Sequence, residues 1–175
     1  MRNRFSRRDF ITGLFGKKWS RDNLEEKTGF DNLARQADMH LDMEEYSEAI
    51  ENLKKLTAKS PDHVQAKRKL GYCYLQTGEL DKAISEFKSI LDLREKDNFT
   101  LLYLGLCLCK KEQIHEAFYY WKKYFNVDQP HIQRRLNLYI GYYDNKMELT
   151  ATELIREIEQ AISEQRDLNT GGKIS

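Results

Sequence analysis

Small residues recur along this chain at a fixed interval of 34 residues. Two series keep that interval, the second twelve residues behind the first: Ala37, Gly71 and Gly105, then Ala49, Ala83 and Ala117. A third series of larger apolar side chains shares the period and consists of Leu53, Phe87 and Trp121. A period of this length indicates an array of stacked helical repeats and argues against a single globular core.

The small residues have a steric meaning. Where two antiparallel helices cross closely, the contact point has room for only a hydrogen atom or a methyl group, and larger side chains fill the spaces beside it. One helix pair cannot bury its own apolar face, so pairs stack on one another and the ends of the stack need caps. The spacing therefore predicts closely crossed helix pairs in a continuous stack.

This pattern resembles the tetratricopeptide repeat, a helix–turn–helix unit of the same length. The resemblance implies an all-α fold in which the repeats wind into a right-handed superhelix with a C-terminal capping helix. In this register the three repeats span 30–63, 64–97 and 98–131. Glu95 stands where the second repeat would usually carry proline, a departure that leaves the small-residue series intact.

Residues 132–166 are predicted to form a fourth helix pair that includes the C-terminal cap. Leu138 falls at the seventh position of this unit, and Tyr139 stands where the other units have Gly or Ala. Thr150 and Glu153 have the spacing of a capping box at the start of the second helix. That helix carries a one-sided apolar stripe made of Leu154, Ile155, Ile158, Ala161 and Ile162. The tail, residues 167–175, is predicted to be flexible.

In the family that the chain resembles, the first helix of each repeat lines a concave surface that binds a peptide or helix of a partner protein. The residues predicted by register to form this peptide-binding groove are Arg68, Lys69, Tyr72, Phe99, Leu102, Tyr103 and Leu106. The apolar members would anchor the partner, while Arg68 and Lys69 would select acidic groups. The resemblance thus implies a non-catalytic protein-interaction scaffold.

Residues 99–111 predict a helix that is apolar on nearly every side, and such a helix is normally buried all round. Packing within the repeats leaves four of its side chains without a partner: Phe99, Leu102, Tyr103 and Leu106. Two interpretations stay open. Either the fourth helix and the cap fold over this surface, or a docked peptide, from a partner or from the chain's own N-terminus, covers it.

A second excess of aromatic residues lies in 118–125. Four of these residues fall at core-type positions, namely Phe118, Trp121, Tyr124 and Phe125. Tyr119 and Tyr120 replace residues that are polar in the other repeats. We expect them to pack with Tyr139, Tyr142 and Tyr143 of the next helix, or else to form a contact site on the outer face.

The N-terminal arm, residues 1–29, is basic: residues 1–21 contain seven Arg or Lys against one Asp, a charge of +6, so the remaining residues sum to −5. Ser6 to Ile11 resembles the twin-arginine export motif. However, Lys17 and Lys18 closely follow, and neither the apolar core nor the cleavage site of an export signal is present. Export is therefore not expected.

Similar twin-arginine-like starts occur on some bacterial cytoplasmic accessory proteins of redox enzymes. The residues predicted to form an N-terminal docking motif are Arg7, Arg8, Phe10, Ile11, Leu14, Phe15 and Trp19. A basic segment with large apolar side chains can lie on an anionic membrane or on a partner. The alternative function is thus a membrane-peripheral recruitment or assembly factor, for example for a bacterial redox complex.

The sequence contains no group of residues that predicts catalysis. The four histidines are scattered, no phosphate-binding Gly-rich loop is present, and Cys73, Cys107 and Cys109 fall where neither a disulfide nor a shared metal ion is expected. We expect buried free thiols, and no enzyme activity, metal, cofactor, small-molecule substrate or nucleic-acid partner. No apolar run reaches the roughly 20 residues of a membrane span, and a cytoplasmic location is predicted.

Overall fold

The computed structural model describes the backbone of residues 21–170 and the side chains of residues 29–170. This part of the chain is all-α, as the sequence predicts, and its helices form four antiparallel pairs. In chain order they are α1 Arg21–Asp42, α2 Tyr46–Lys59, α3 Val64–Gln76, α4 Leu80–Leu93, α5 Asn98–Lys110, α6 Ile114–Trp121, α7 Pro130–Asp144 and α8 Ala151–Asn169. Each of the first three pairs packs on the next, and the prediction of a helical superhelix with a C-terminal capping helix is confirmed.

The two ends of the described region differ from the boundaries expected from the sequence. α1 begins at Arg21, ahead of residue 30, where the repeat register starts. α8 ends at Asn169, inside the segment 167–175 that was expected to be a flexible tail. The helical region is therefore longer at both ends than the repeat pattern alone indicates.

The helices of a pair cross at the small residues. A methyl group at Gly71 would lie 2.6 Å from the ring of Phe87 in the partner helix. At Gly105 the conflict is sharper, because an added Cβ would lie 2.0 Å from Nε1 of Trp121. The first repeat carries Ala37 at this position, opposite a smaller partner residue, Leu53. A larger residue on the first helix of a pair is thus matched by a smaller side chain on the second helix.

Trp121 also ties the third pair together through a buried hydrogen bond. Its indole Nε1 donates to the backbone carbonyl of Leu102 at 3.1 Å, and the ring has no exposed surface. A buried indole N–H left without an acceptor would carry a desolvation cost. The close approach at Gly105 is what brings the ring within reach of the α5 backbone.

The turn inside each pair repeats the same backbone geometry. Four residues spaced 34 apart have a positive φ of 56° to 79°: Glu44, Gly78, Glu112 and Lys146. The N–H of the following residue bonds in each case to the carbonyl five residues earlier, at 2.8 to 3.1 Å. This is the Schellman arrangement of a helix C-terminus. The fourth pair therefore keeps the repeat register at its turn, although its side-chain pattern departs from it.

The stack changes at the junction between the third and fourth pairs. α6 is short and ends at Trp121, so residues 122–129 form a loop. Phe125 is 70% exposed in this loop, and its assignment to a core position was wrong because the helix has already ended. Tyr124 remains buried, as expected from the sequence.

α7 is also turned relative to the other first helices. Its buried residues are Ile132, Leu136 and Tyr139, while Leu138, at the usual core position, is exposed. α7 shares little surface with α6, and α8 packs on both α7 and α5. The last helix therefore reaches back to the first helix of the preceding repeat.

We expect Gly105→Ala to destabilise the protein by about 3 kcal/mol, because the new methyl group must displace a buried indole. Trp121→Leu alone should cost a similar amount, about 3 kcal/mol, through the cavity that it leaves. The double variant recreates the Ala and Leu pair of the first repeat. Its cost should be smaller than the sum of the two single costs by about 2 kcal/mol. Urea unfolding followed by circular dichroism measures all three, and simple additivity would contradict the proposed contact.

We also expect Glu112→Gly and Lys146→Gly each to stabilise the fold by roughly 0.5–1 kcal/mol, because glycine adopts a positive φ without strain from Cβ. Gly78→Ala provides the matched reverse change and should destabilise by about 1 kcal/mol. No atom outside the local backbone lies within 4 Å of a Cβ at Gly78, so its effect reports backbone strain alone. Thermal unfolding curves of the three variants test the signs.

Candidate partner-binding groove

The first helices α1, α3 and α5 lie side by side, and side chains on one face of them contact each other. Lys69 of α3 pairs with Asp38 of α1, and Tyr72 of α3 meets Tyr103 of α5 with ring centroids 5.4 Å apart. Lys69, Tyr72 and Tyr103 are positions that the sequence assigns to the concave groove. The structure places them together on one surface that crosses three repeats.

The C-terminal helix covers one end of this surface. α8 runs along α5, from an ion pair between Lys110 and Glu159 at 3.0 Å to a pocket shared by Leu102 and Ile162. Leu102 is 3% exposed and Leu106, one turn further along α5, is 2% exposed. The sequence left open whether the cap or a docked peptide covers the apolar helix 99–111. In the structure the C-terminal cap, α8, covers it.

The buried side of α8 explains why it seats there. Leu154, Ile158 and Ala161 lie one helical turn apart along it and have no exposed surface. The N-terminus of α8 is capped by Thr150, whose hydroxyl accepts from the N–H of Glu153 at 3.2 Å. Arg135 of α7 pairs with Glu157 of α8 and fixes the two helices to each other. Leu102 and Leu106 are consequently part of a packed interface.

The two basic residues predicted to select acidic groups both have partners inside the protein. Arg68 donates from Nε to Asp97 at 3.1 Å and from its terminal nitrogen to the second carboxylate oxygen. Asp97 is 3% exposed and also accepts from the N–H of Thr100 at the start of α5. Lys69 is held by Asp38. Both cations therefore link neighbouring first helices, Lys69 directly and Arg68 through the residue that caps α5.

The pKa of the Asp97 carboxyl reflects this environment. Burial by itself raises the pKa, but the hydrogen bonds from Arg68 and from the backbone of Thr100 outweigh burial, and the pKa lies below its ordinary value. The carboxylate is thus charged at neutral pH although it is buried. It acts as a structural link between the second and third repeats.

A row of aromatic rings crosses the groove beside these ion pairs. Tyr46 meets Tyr72 with centroids 6.2 Å apart, and Phe99 meets Tyr103 with centroids 4.5 Å apart. All four rings are only partly buried, in contrast to the neighbouring Leu102 and Leu106. Burial raises the pKa of Tyr103 to about 12, so its hydroxyl stays protonated at physiological pH. The row provides a neutral aromatic surface next to α8.

Where the aromatic row meets α8, the structure contains a pocket of about 350 Å³. It lies between α5, the start of α7 and the end of α8. The residues that line it are Phe99, Leu102, Tyr103, Asn126, Gln129, Ile132, Ile162, Gln165, Arg166, Asn169 and Thr170. Only the first three could be assigned to a groove from the sequence. The others come together because α8 folds back, which no local pattern indicates.

The cysteines are free and buried, which confirms that expectation. Burial raises the pKa of Cys73 to about 11 and the pKa of Cys107 and of Cys109 to about 12. Because the thiolate is the reactive form, none of the three is poised for nucleophilic chemistry at neutral pH. Within residues 29–170 no group of His, Cys, Asp or Glu side chains is placed to hold a metal ion.

The tyrosines of α6 do not meet the partners expected for them. Tyr119 is 57% exposed and contacts Tyr120, with centroids 5.1 Å apart, and the amine of Lys123 lies 4.0 Å from its ring centre. Tyr143 of α7 stacks instead on Phe118, at 4.1 Å. Tyr119 is therefore exposed, whereas Tyr120 is partly buried against the core, and a contact site on the outer face stays a prediction.

The predicted N-terminal docking motif lies outside the described residues, so its role stays a prediction from sequence. This applies to Arg7, Arg8, Phe10, Ile11, Leu14, Phe15 and Trp19. None of the helices between residues 21 and 170 is long and apolar enough to cross a lipid bilayer.

A stack of helix pairs with an open face on its first helices defines an α-solenoid of the kind used for protein recognition. The family model of the tetratricopeptide repeat matches residues 35–98. The fold and the turn geometry agree with this match, so residues 35–98 carry tetratricopeptide repeats.

Solved structures of MamA have a similar fold. The crystal structure of MamA is 18% identical, with a TM-score of 0.59, and the alignment covers 81% of each chain. The MamA RS-1 ArsTM double mutant is 15% identical, with a TM-score of 0.57, over 83% of this chain and 78% of that one. At these identities the likeness concerns the fold alone. The chain has no match among curated proteins.

Proposed function

We propose that this protein is a non-catalytic interaction scaffold and that the part of its groove not covered by α8 binds a peptide or helix of another protein. The observation that carries the proposal is the row Tyr46, Tyr72, Tyr103 and Phe99, whose rings remain partly exposed beside the fully packed α5 and α8 interface. Aromatic side chains of this kind dominate binding energy at protein interfaces.

The charged groups around the row support the same function. Arg68 with Asp97 and Lys69 with Asp38 form a rim of paired charges that joins adjacent first helices. A rim of this composition holds the groove in shape and adds little net charge. Affinity would then come from burial of the aromatic rings, with the rim restricting where a partner can lie.

Burial raises the pKa of all three cysteines, and the buried carboxylate of Asp97 is committed to Arg68 and Thr100. A function carried by surface recognition fits these features. The sequence predicts Leu102 and Leu106 as anchors for a partner. In the structure their side chains are buried under α8 and stabilise the helices that form the groove.

We expect Tyr72→Ala to weaken partner binding at least about tenfold, which corresponds to the loss of an aromatic anchor of about 1.4 kcal/mol or more. Tyr119→Ala is the matched control, because it removes an exposed tyrosine from the outer face. Affinity capture from the native organism with quantitative mass spectrometry identifies the partner. Titration of that partner with both variants then gives the two affinities.

Circular dichroism should show the same helix content for both variants, so that a loss of binding cannot come from unfolding. Loss of binding in Tyr119→Ala together with unchanged binding in Tyr72→Ala would place the interaction on the outer face. That result would contradict the proposed use of the groove.

A further inference from the structure

We propose that the pocket between α5, α7 and α8 binds a partner segment in which a large apolar side chain stands next to an Asp or Glu. The proposal rests on the function proposed above and names the chemistry of the partner at the end of the groove. It follows from three properties of the described lining: an apolar floor, an amide donor that is unused within residues 29–170, and a single positive charge.

The floor of the pocket is apolar and comes from all three helices. Phe99 and Leu102 belong to α5, Ile132 to α7 and Ile162 to α8. Phe99 is also the last ring of the aromatic row, so the pocket continues the proposed groove without a break. A volume of about 350 Å³ accommodates one large side chain together with adjoining backbone.

The amide groups on the rim have their oxygens already engaged. Gln165 is buried, and its Oε1 accepts from the backbone N–H of His131 at 3.1 Å. Since a backbone N–H can only donate, this bond fixes the orientation of the Gln165 amide. Its Nε2 therefore donates, at 3.0 Å, to Oδ1 of Asn169. Within residues 29–170 the amide nitrogen of Asn169 forms no hydrogen bond, so it is the end of this chain of hydrogen bonds.

Gln129 and Asn126 also form hydrogen bonds through their amide oxygens. Oε1 of Gln129 accepts from the hydroxyl of Tyr124 at 2.7 Å, and Nε2 of Gln129 forms no hydrogen bond with the residues that the structure describes. Asn126 uses its Oδ1 to accept from the N–H of Asp128 at 3.0 Å. Of the rim amides, Asn169 has its oxygen engaged by Gln165 and its nitrogen unused within residues 29–170.

Among the described residues that line the pocket, Arg166 carries the only formal charge. Within residues 29–170 it forms no ion pair, although the chain is rich in carboxylates and most of its other groove cations are paired. The lining contains neither Asp nor Glu. A guanidinium beside the amide donor of Asn169 favours a carboxylate, and the apolar floor favours a large side chain next to it.

Charge also argues against one occupant from the chain itself. Residues 1–21 carry +6, and a segment of that charge would bring like charge to Arg166. An acidic segment of a partner protein fits instead. Because the pocket continues the aromatic row, such a segment can lie along the row and place its carboxylate at the end of α8.

Asn169→Asp provides an isosteric test. The new carboxylate keeps an oxygen that accepts from Gln165, but it removes the free amide donor and adds a negative charge. Asn137→Asp is the matched control: Asn137 accepts from Gln133 at 2.9 Å with the same spacing along a helix, and it does not line the pocket. Arg166→Gln removes the positive charge and completes the set.

The probe is a displayed library of random seven-residue segments, joined at both ends so that no free terminal carboxylate is present. Selection on the wild-type full chain should enrich Asp or Glu next to a large apolar residue. The synthetic peptide of the best sequence should bind about fivefold or more weakly when its acid is replaced by the amide. Fluorescence anisotropy should show a similar loss for Asn169→Asp and Arg166→Gln, and binding within twofold of wild type for Asn137→Asp.

The outcomes separate this inference from the proposed function. Peptides that need Tyr72 but bind equally to wild type and Arg166→Gln would overturn the pocket assignment and leave the groove function standing. Equal losses in Asn169→Asp and Asn137→Asp would also overturn the pocket assignment, as would sequences recovered only with a free terminal carboxylate. A selection that enriches nothing on the wild-type chain would count against both.

Discussion

The close approach of Gly105 to the indole of Trp121 is the contact on which the third repeat is built, and the same kind of contact recurs in the other repeats. Because Gly105 has no side chain, the indole ring of Trp121 can lie against the backbone of α5 and donate a hydrogen bond to the Leu102 carbonyl. Where the ring shrinks to Leu53, the small residue grows to Ala37. Interiors at native packing density tolerate little change in volume, so each repeat needs both members of its pair.

This constraint is visible in the sequence because it fixes residue type at a fixed spacing. Ala37, Gly71, Gly105 and their partners predict the crossing of three helix pairs, and apolarity on every side of residues 99–111 indicates that something covers α5. The fourth pair is harder to predict, since Tyr139 takes the small-residue position and α7 turns in response. The exposure of Phe125 follows from the early end of α6, which no sequence signal marks.

The path of α8 divides the predicted groove into two parts with different roles. Leu102 and Leu106 are buried in the interface between α5 and α8. Tyr72, Tyr103 and Phe99 lie next to this interface and remain partly exposed. The lining at the end of α8 could not be predicted, because Arg166 and Asn169 meet α5 only through tertiary packing. Asp97 is a partial exception: an Asp directly before a helix is a recognisable cap, but its pairing with Arg68 depends on how the repeats stack.

The placement of α8 against α5 is therefore the central claim, and a zero-length carbodiimide cross-link tests it most directly. This reagent joins an amine to a carboxylate only when the two are in contact, and Nζ of Lys110 lies 3.0 Å from Oε1 of Glu159. Peptide mapping of the cross-linked monomer should find this bond, together with a bond between Lys122 and Asp144 as an internal control. The control bond without the Lys110 to Glu159 bond, or a Glu159 bond found only between molecules, would contradict the account.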